Sequence, residues 1–288
     1  MVIFIALLLK VYIMSYGDSN SYQLPDSHDQ QVKSFMRWLL LGIALFIGLV
    51  VAVIWFADRL LIHVPLSAEA RFVKPYESLF EKYNTLDAEE QRVERYLQNI
   101  VDDLSAKSGF DEPVRINVHY LDTPEINAFA TLGGNIFVLR GLVEAMPNEN
   151  ALAMVLAHEI AHVKHRDPIV SVSRGLALQV AYSFFAGDPG TVFNTGSELG
   201  MLVFSRGQEE SADLAALDTL QRHYGHVAGA TTFFTIMQEQ YAAKDETEKL
   251  PTWLLSHPKL QHRIDTINAR IDMKNWYKGQ AVPKQVNL

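Results

Sequence analysis

Residues 151–166 read ALAMVLAHEIAHVKHR. The run consists mostly of strong helix formers, and Asn148 stands where an N-cap belongs, so the stretch predicts a helix. On a helix, positions four apart share a face. His158 and His162 can therefore address one metal ion, with Glu159 beside them to take a proton from water. The plain alternative is two surface histidines. The surrounding face is rich in Ala, Leu and Val, however, and partly buried histidines next to a carboxylate need a partner. From here to the C-terminus the pattern stays mostly helical, which sets the fold class as mainly α.

A catalytic zinc takes three protein ligands and keeps one position open. His165 and Pro168 stand where a third-ligand extension of this helix would need Gly and His. His165 also lies about 60° round the helix from His162. A carboxylate from a second helix is the other solution. Residues 205–217 read SRGQEESADLAAL. Glu209 and Asp213 are four apart and share a face with Ala216, Leu217 and Leu220. Glu210 turns toward Leu214. This assigns Glu209 as a ligand and Asp213 as an acceptor for a ligand histidine's second N–H. A solvated acidic face would explain the charges, but not the small residues that let this helix approach another closely.

The 288 residues allow one large or two ordinary domains, and carry 49% apolar and 20% charged residues. A net charge of −8 argues against nucleic acid as a partner. The sequence holds no cysteine, which restricts zinc ligands to His and carboxylate and excludes disulfides and a Cys nucleophile. The mean hydropathy of +0.03 averages unlike parts. Residues 38–56 read WLLLGIALFIGLVVAVIWF, about 28 Å of helix, close to the hydrocarbon thickness of a bilayer. Trp38 and Trp55 sit at its ends, as interfacial anchors do. A buried core helix of this length would show a polar face. Lys33 and Arg37 before the span are matched by Arg59, Arg71 and Lys74 after it, so charge does not orient it. A shorter apolar stretch, Val2 to Met14, is broken by Lys10. It reads as an upstream extension with Met14 as the start, or as a poor second membrane segment.

The organisation expected is an N-terminal arm over 1–37, a transmembrane helix over 38–57 and a helical linker region over 58–110. A core over 111–272 that holds the metal-site motifs and a C-terminal tail over 273–288 complete it. Residues 17–34 read as a solvated part of the arm. Asp87 opens a helix with Val93, Leu97, Ile100, Val101 and Leu104 on one face. Pro113 to Tyr120 alternates like a strand. Asn127–Ala130 and Asn135–Leu139 read as two short strands around Gly133-Gly134. Ile169 to Ala186 is apolar but carries Arg174 and Gln179, and reads as a packed amphipathic hairpin rather than a membrane hairpin.

Four ordered motifs carry a resemblance. They are HEIAH at 158–162 and Glu209-x-x-Ala-Asp213 preceded by Ser205-Arg206. Asn127-Ala-Phe-Ala followed by Gly133-Gly134-Asn-Ile-Phe-Val, and Ser256-His-Pro followed by Arg263-Ile264, complete the set. Together they resemble the gluzincin metallopeptidases of the HtpX and CAAX-prenyl-endopeptidase family over residues 70–272. A single span with a compact catalytic domain is most similar to the mitochondrial inner-membrane stress protease and its bacterial relatives. The resemblance implies an α+β zincin-like domain with the active-site helix under a short mixed sheet. It implies one Zn2+ per chain on His158, His162 and Glu209, with Glu159 as general base.

It further implies that His257 stabilises the oxyanion, against the alternative of an exposed residue before a helix starting at Pro258. Arg263 would orient His257 or the zinc-side carboxylates, or be a surface charge. The backbone of Asn127, Ala128, Phe129, Ala130 and Gly134 would receive an extended substrate by strand addition. A loop such as Phe185 to Gly200 could cover the cleft. The expected partners are protein substrates and the lipid bilayer, with room for a homo-oligomer, and the catalytic domain is expected on the periplasmic side of an inner membrane. The expectation is a membrane-anchored endopeptidase in membrane or envelope quality control. A chaperone-like binding protein on the same fold and a prenyl-protein processing protease are the rivals.

Overall fold

The computed structural model describes residues 26–66, 68–69, 71, 86–111, 114–186, 204–242, 253, 257 and 260–286. The expectations for residues 1–14 and for the loop beyond residue 186 lie outside the described residues. The chain falls into two compact units that divide after Val51.

Helix α1, Asp26–Leu61, is 36 residues long. Its stretch Gln30–Leu61 is long and apolar enough to cross a membrane: an 18-residue window within it has a mean hydropathy of 2.9, and none of that window is buried. Trp38, Leu40, Leu45 and Phe56 stand exposed. The helix begins well before Trp38, inside the expected arm. No Gly or Pro occurs between Asp26 and Leu41, so nothing stops the helix from propagating upstream.

The second unit is helical around a small sheet. Helix α2, Ala88–Lys107, starts at a capping box. The Asp87 side chain accepts from the Glu89 and Glu90 N–H groups, and Glu90 accepts from the Asp87 N–H. Val93, Leu97, Ile100, Val101 and Leu104 are buried along one stripe. This helix, within the 58–110 region, shares one apolar core with the sheet and the helices that follow.

Strands β1 (Asn117–Leu121), β2 (Ala128–Thr131) and β3 (Asn135–Leu139) form a sheet of order β1-β3-β2. β1 runs parallel to β3, and β2 antiparallel to it. The first strand starts later than its alternation suggested. Its partner β3 begins at Asn135, opposite Asn117, so residues 114–116 have no ladder to join. The β2–β3 turn passes through Gly133 and Gly134 at φ +77° and +78°. A Cβ on Gly134 would also meet the Arg115 carbonyl at 3.3 Å. Val118, Tyr120, Ala128, Ala130, Ile136 and Val138 are buried on the inner face.

Helix α3 (Arg140–Ala145) leads to the central helix α4 (Glu149–His165), capped by the Asn148 side chain on the Ala151 N–H. Every α4 residue from Glu149 to Val163 is buried. α5 (Asp167–Ala186) follows after one residue and is a single helix, not a hairpin. α6 (Arg206–Tyr224) opens with a Ser205–Gln208 capping box and ends at left-handed Gly225. Its buried Ala212 and Ala216 let it lie closely against α4, where Ala153, Ala157 and Ala161 are buried. α7 (Thr232–Ala242) and α8 (Leu260–Lys274) complete the unit. The tail then straps the start of α4: the Glu149 N–H donates to Val282 O at 2.9 Å, and the Val282 N–H to Asn150 Oδ1 at 2.6 Å. The whole is mainly helical with a small mixed sheet, as the sequence indicated.

Candidate metal centre and active site

His158 and His162 stand one turn apart on α4 and both are buried, at 2% and 0% exposure. Glu209 reaches them from the first turn of α6. Its carboxylate lies 3.6 Å from His158 Nε2 and 3.4 Å from His162 Nε2. His257, from beyond α7, brings Nδ1 to 2.9 Å from Glu209 and 3.4 Å from His158 Nε2. One ligand atom from each of these four buried residues falls within 4.8 Å of the others.

Four donors around zinc at about 2.0–2.2 Å stand roughly 3.3–3.6 Å apart. The Glu209–His158, Glu209–His162 and His158–His257 separations match that spacing. The 2.9 Å separations of His158 Nε2 from His162 Nε2 and of His257 Nδ1 from Glu209 are closer than it. Imidazole nitrogens and a carboxylate without thiolate are a donor set of catalytic metal sites. Burial pushes His162 down, but the Asp167 and Glu209 carboxylates outweigh it and raise the ring to about 10. Burial raises Glu209, yet the surrounding imidazoles hold it well below the usual carboxylate range. Burial and the neighbouring Arg263 and His162 charges lower His158; by spacing and donor chemistry the residues present fit a metal ion.

Behind the donors lies a second layer. Asp213 Oδ1 is 3.0 Å from His158 Nδ1. Arg263, from α8, grips Asp213 with two nitrogens at 2.6 and 2.7 Å and meets Glu209 Oε2 at 2.8 Å. Its guanidinium lies over Phe234 and Trp253, 4.6 and 4.8 Å from their ring centroids. Arg263 is buried, so it is no surface charge, and its ion pairs go to the carboxylates. His257 is fully buried too, its ring stacked on Trp253 at 4.8 Å and its backbone N–H donating to Trp253 O. Burial pushes His257 down to about 3.

Glu159 follows His158 on α4 and is fully buried. Its Oε2 accepts the Ala130 N–H at 2.8 Å, which ties α4 to β2. Its Oε1 lies 4.0 Å from His257 Nε2. Neither of these two buried atoms has a hydrogen-bond partner among the described residues. Burial pushes Glu159 up to about 7, against the lowering pull of His162 and the Ala130 N–H.

β2 is an edge of the sheet. Asn127 O accepts from the Leu139 N–H at 3.1 Å, and Phe129 pairs with Phe137. In an antiparallel ladder the backbone groups of Ala128 and Ala130 then face outward. Asn127 and Phe129 turn theirs to β3, and Gly134 lies in the turn. Two site neighbours carried no signal in the sequence reading. Asp167 accepts from His162 Nδ1 at 2.8 Å, and Phe204 stacks on the His162 ring at 4.0 Å. A carboxylate five residues beyond the second histidine was the one trace available.

A helix bearing His-Glu-x-x-His, a carboxylate from a second helix and a small sheet above them define a metallopeptidase domain of the zincin class. The chain belongs to peptidase family M48, whose sequence profile matches residues 91–271. It is similar to the beta-barrel assembly-enhancing protease of Yersinia pestis, 32% identical over 180 residues, covering 56% of this chain and 36% of that protein. The Escherichia coli K12 protein of that name is 31% identical over 162 residues, 50% of this chain and 32% of its own. The mitochondrial metalloendopeptidase OMA1 of Schizosaccharomyces pombe is 28% identical over 176 residues, 60% of this chain and 51% of its own. The chain thus spans about a third to a half of the length of these curated relatives.

Proposed function

We propose that the chain is a membrane-anchored, zinc-dependent endopeptidase that cleaves unfolded or flexible protein segments, in the quality control of membrane or envelope proteins. The observation that carries this is the facing pair of buried atoms, Glu159 Oε1 and His257 Nε2, without hydrogen-bond partners among the described residues, beside the His158–His162–Glu209 donors. A hydrolase needs a base on one side of the reacting carbonyl and an oxyanion partner on the other.

His158, His162 and Glu209 would hold the zinc ion, which when bound supplies Lewis-acid polarisation and a water of lowered pKa. The Ala130 N–H fixes one oxygen of Glu159. The other oxygen takes the proton of the attacking water and passes it to the leaving amine. In the described geometry His257 Nδ1–H donates to Glu209. Were Glu209 engaged by the ion, the His257 ring would carry its proton on Nε2, from where it would donate a hydrogen bond to the oxyanion. Asp213 holds His158 through Nδ1, and Arg263 keeps both carboxylates in place.

The substrate adds as a strand beside β2. It uses the outward groups of Ala128 and the carbonyl of Ala130, because the Ala130 N–H is committed to Glu159. Asn127, Phe129 and Gly134 then shape the strand rather than pair with the peptide. Backbone pairing favours extended, flexible segments over a fixed side-chain code. Helix α1 serves as the anchor, with the catalytic unit on the periplasmic side, as the family resemblance implies.

Zinc content and casein cleavage by the full chain, wild type against Glu159→Gln, test the reading. Zinc binding with turnover lost only in the variant is expected. Zinc binding without wild-type turnover would favour a binding protein on this fold, and equal cleavage by the variant would overturn the mechanism. A phosphatase fusion after Leu288 reports the side of the membrane.

A further inference from the structure

The corner between α4 and α5 is one residue long. Arg166 closes α4 in the left-handed region at φ +66°, ψ +22°, a conformation that non-glycine residues rarely adopt. The neighbouring segment holds it there. Arg166 Nη2 pairs with Glu69 Oε1 at 2.6 Å and also donates to the Val64 carbonyl. The second oxygen of Glu69 accepts the Gly133 N–H at 2.9 Å.

This corner folds Asp167 back over the last turn of α4. Its Oδ2 accepts from His162 Nδ1 at 2.8 Å, with both side chains buried. That bond selects the tautomer in which His162 Nε2 carries the lone pair, and Nε2 is the atom facing Glu209 and His158. The other Asp167 oxygen accepts from Gln208 Nε2 at 2.6 Å. Gln208 Oε1 lies 3.5 Å from Arg174 Nη1, the longest link. Arg174 grips Asp58, in the last turns of α1, with Nη2 at 2.7 Å and Nε at 3.1 Å. An unbroken run of polar contacts thus joins residue 58 to residue 162. None of its intermediate members belongs to the motifs that carry the donors.

We propose that Asp167 is the positioning residue for His162, and that Gln208, Arg174 and Asp58 extend this positioning to the last turns of α1. A change in the seating of that helix then alters the orientation of the His162 ring. The proposal rests on His162 being a metal ligand.

The test measures zinc affinity of the full-length chain by chelator competition, and the absorption spectrum of the Co2+-substituted chain as a probe of ligand orientation. Melting of the metal-free chain by circular dichroism reports the fold. Asp167→Ala is expected to weaken zinc binding by about 10–100-fold and to shift the Co2+ bands. Asp167→Asn, which still accepts from Nδ1–H, is expected to recover most of that loss. Asp58→Ala, at a partly exposed pair, is expected to weaken binding by a smaller factor with the same spectral shift, and to have no further effect on the Asp167→Ala background.

Wild-type zinc affinity and spectrum in Asp167→Ala would overturn the positioning role. An Asp58→Ala effect that adds in full on the Asp167→Ala background, or that is absent from the wild-type background, would overturn the relay. Where Asp167→Ala fails to fold, Asp167→Asn and Asp58→Ala with the same shifted Co2+ bands support the proposal, since an Asn that accepts from His162 turns its NH2 toward Gln208 Nε2 and breaks the same relay. Wild-type affinity and bands in Asp58→Ala overturn the relay in that case too. Undiminished zinc binding in His162→Ala would instead sink the metal reading on which the proposal stands.

Discussion

Glu159 Oε1 faces His257 Nε2 across 4.0 Å, both atoms buried and neither with a hydrogen-bond partner among the described residues. Two buried polar groups left so are costly unless a third group binds between them. Replacing the base while keeping its anchor isolates that role. Glu159→Gln can still accept the Ala130 N–H. It should lower kcat by about 10²–10⁴-fold while zinc stoichiometry and melting temperature stay as in the wild type. Loss of zinc together with activity would instead make Glu159 structural.

His257→Phe keeps a ring on Trp253 and removes both nitrogens. Turnover should fall by about 10²–10³-fold with KM little changed, because an oxyanion donor acts in the transition state alone. A variant as active as wild type would leave His257 as packing.

Arg263 is the one guanidinium described between the Asp213 and Glu209 carboxylates. Arg263→Leu leaves those two charges buried beside each other. Denaturant unfolding of the zinc-free chain should show a loss of about 3–5 kcal/mol. Arg263→Lys should recover only part of it, since a single ammonium cannot make the bidentate grip on Asp213 and also reach Glu209. Full stability in Arg263→Leu would contradict this account.

Removal of metal should lower the melting temperature, and zinc should restore it. At about 1,000 times the dissociation constant the ion adds roughly 4 kcal/mol to the folded state. Glu209→Ala removes the carboxylate from the donor cluster and should erase most of that zinc-dependent gain. A melting temperature indifferent to chelator would count against a metal in this cluster.

Much of the fold was legible because its signals are local. Asn148 and the helix formers after it mark α4, the Asp87 capping box marks α2, and Gly133-Gly134 marks the β2–β3 turn. Where local signals misled, a partner decided. β1 starts at Asn117 because β3 offers no earlier residue to pair with. Helix α1 runs upstream of its apolar stretch because nothing in residues 26–41 breaks it. In the site, the four-residue spacings placed His158 beside His162 and Glu209 in line with Asp213, since a helix converts such a spacing into a shared face.

The sequence by itself determined which side chains share each helix face, and with them a histidine pair, a second-helix carboxylate and a long apolar helix. These follow from the 3.6-residue period and from the length of an uninterrupted apolar run. Only the tertiary structure decided how the faces meet. It set His257 opposite Glu159, placed the Ala130 N–H on the Glu159 carboxylate, put Arg263 between two carboxylates and brought Asp167 onto His162. Of these pairs only Asp167 and His162 are near in sequence, and they meet through the left-handed turn at Arg166. The others join separate elements, and no period along the chain encodes which faces will pack together.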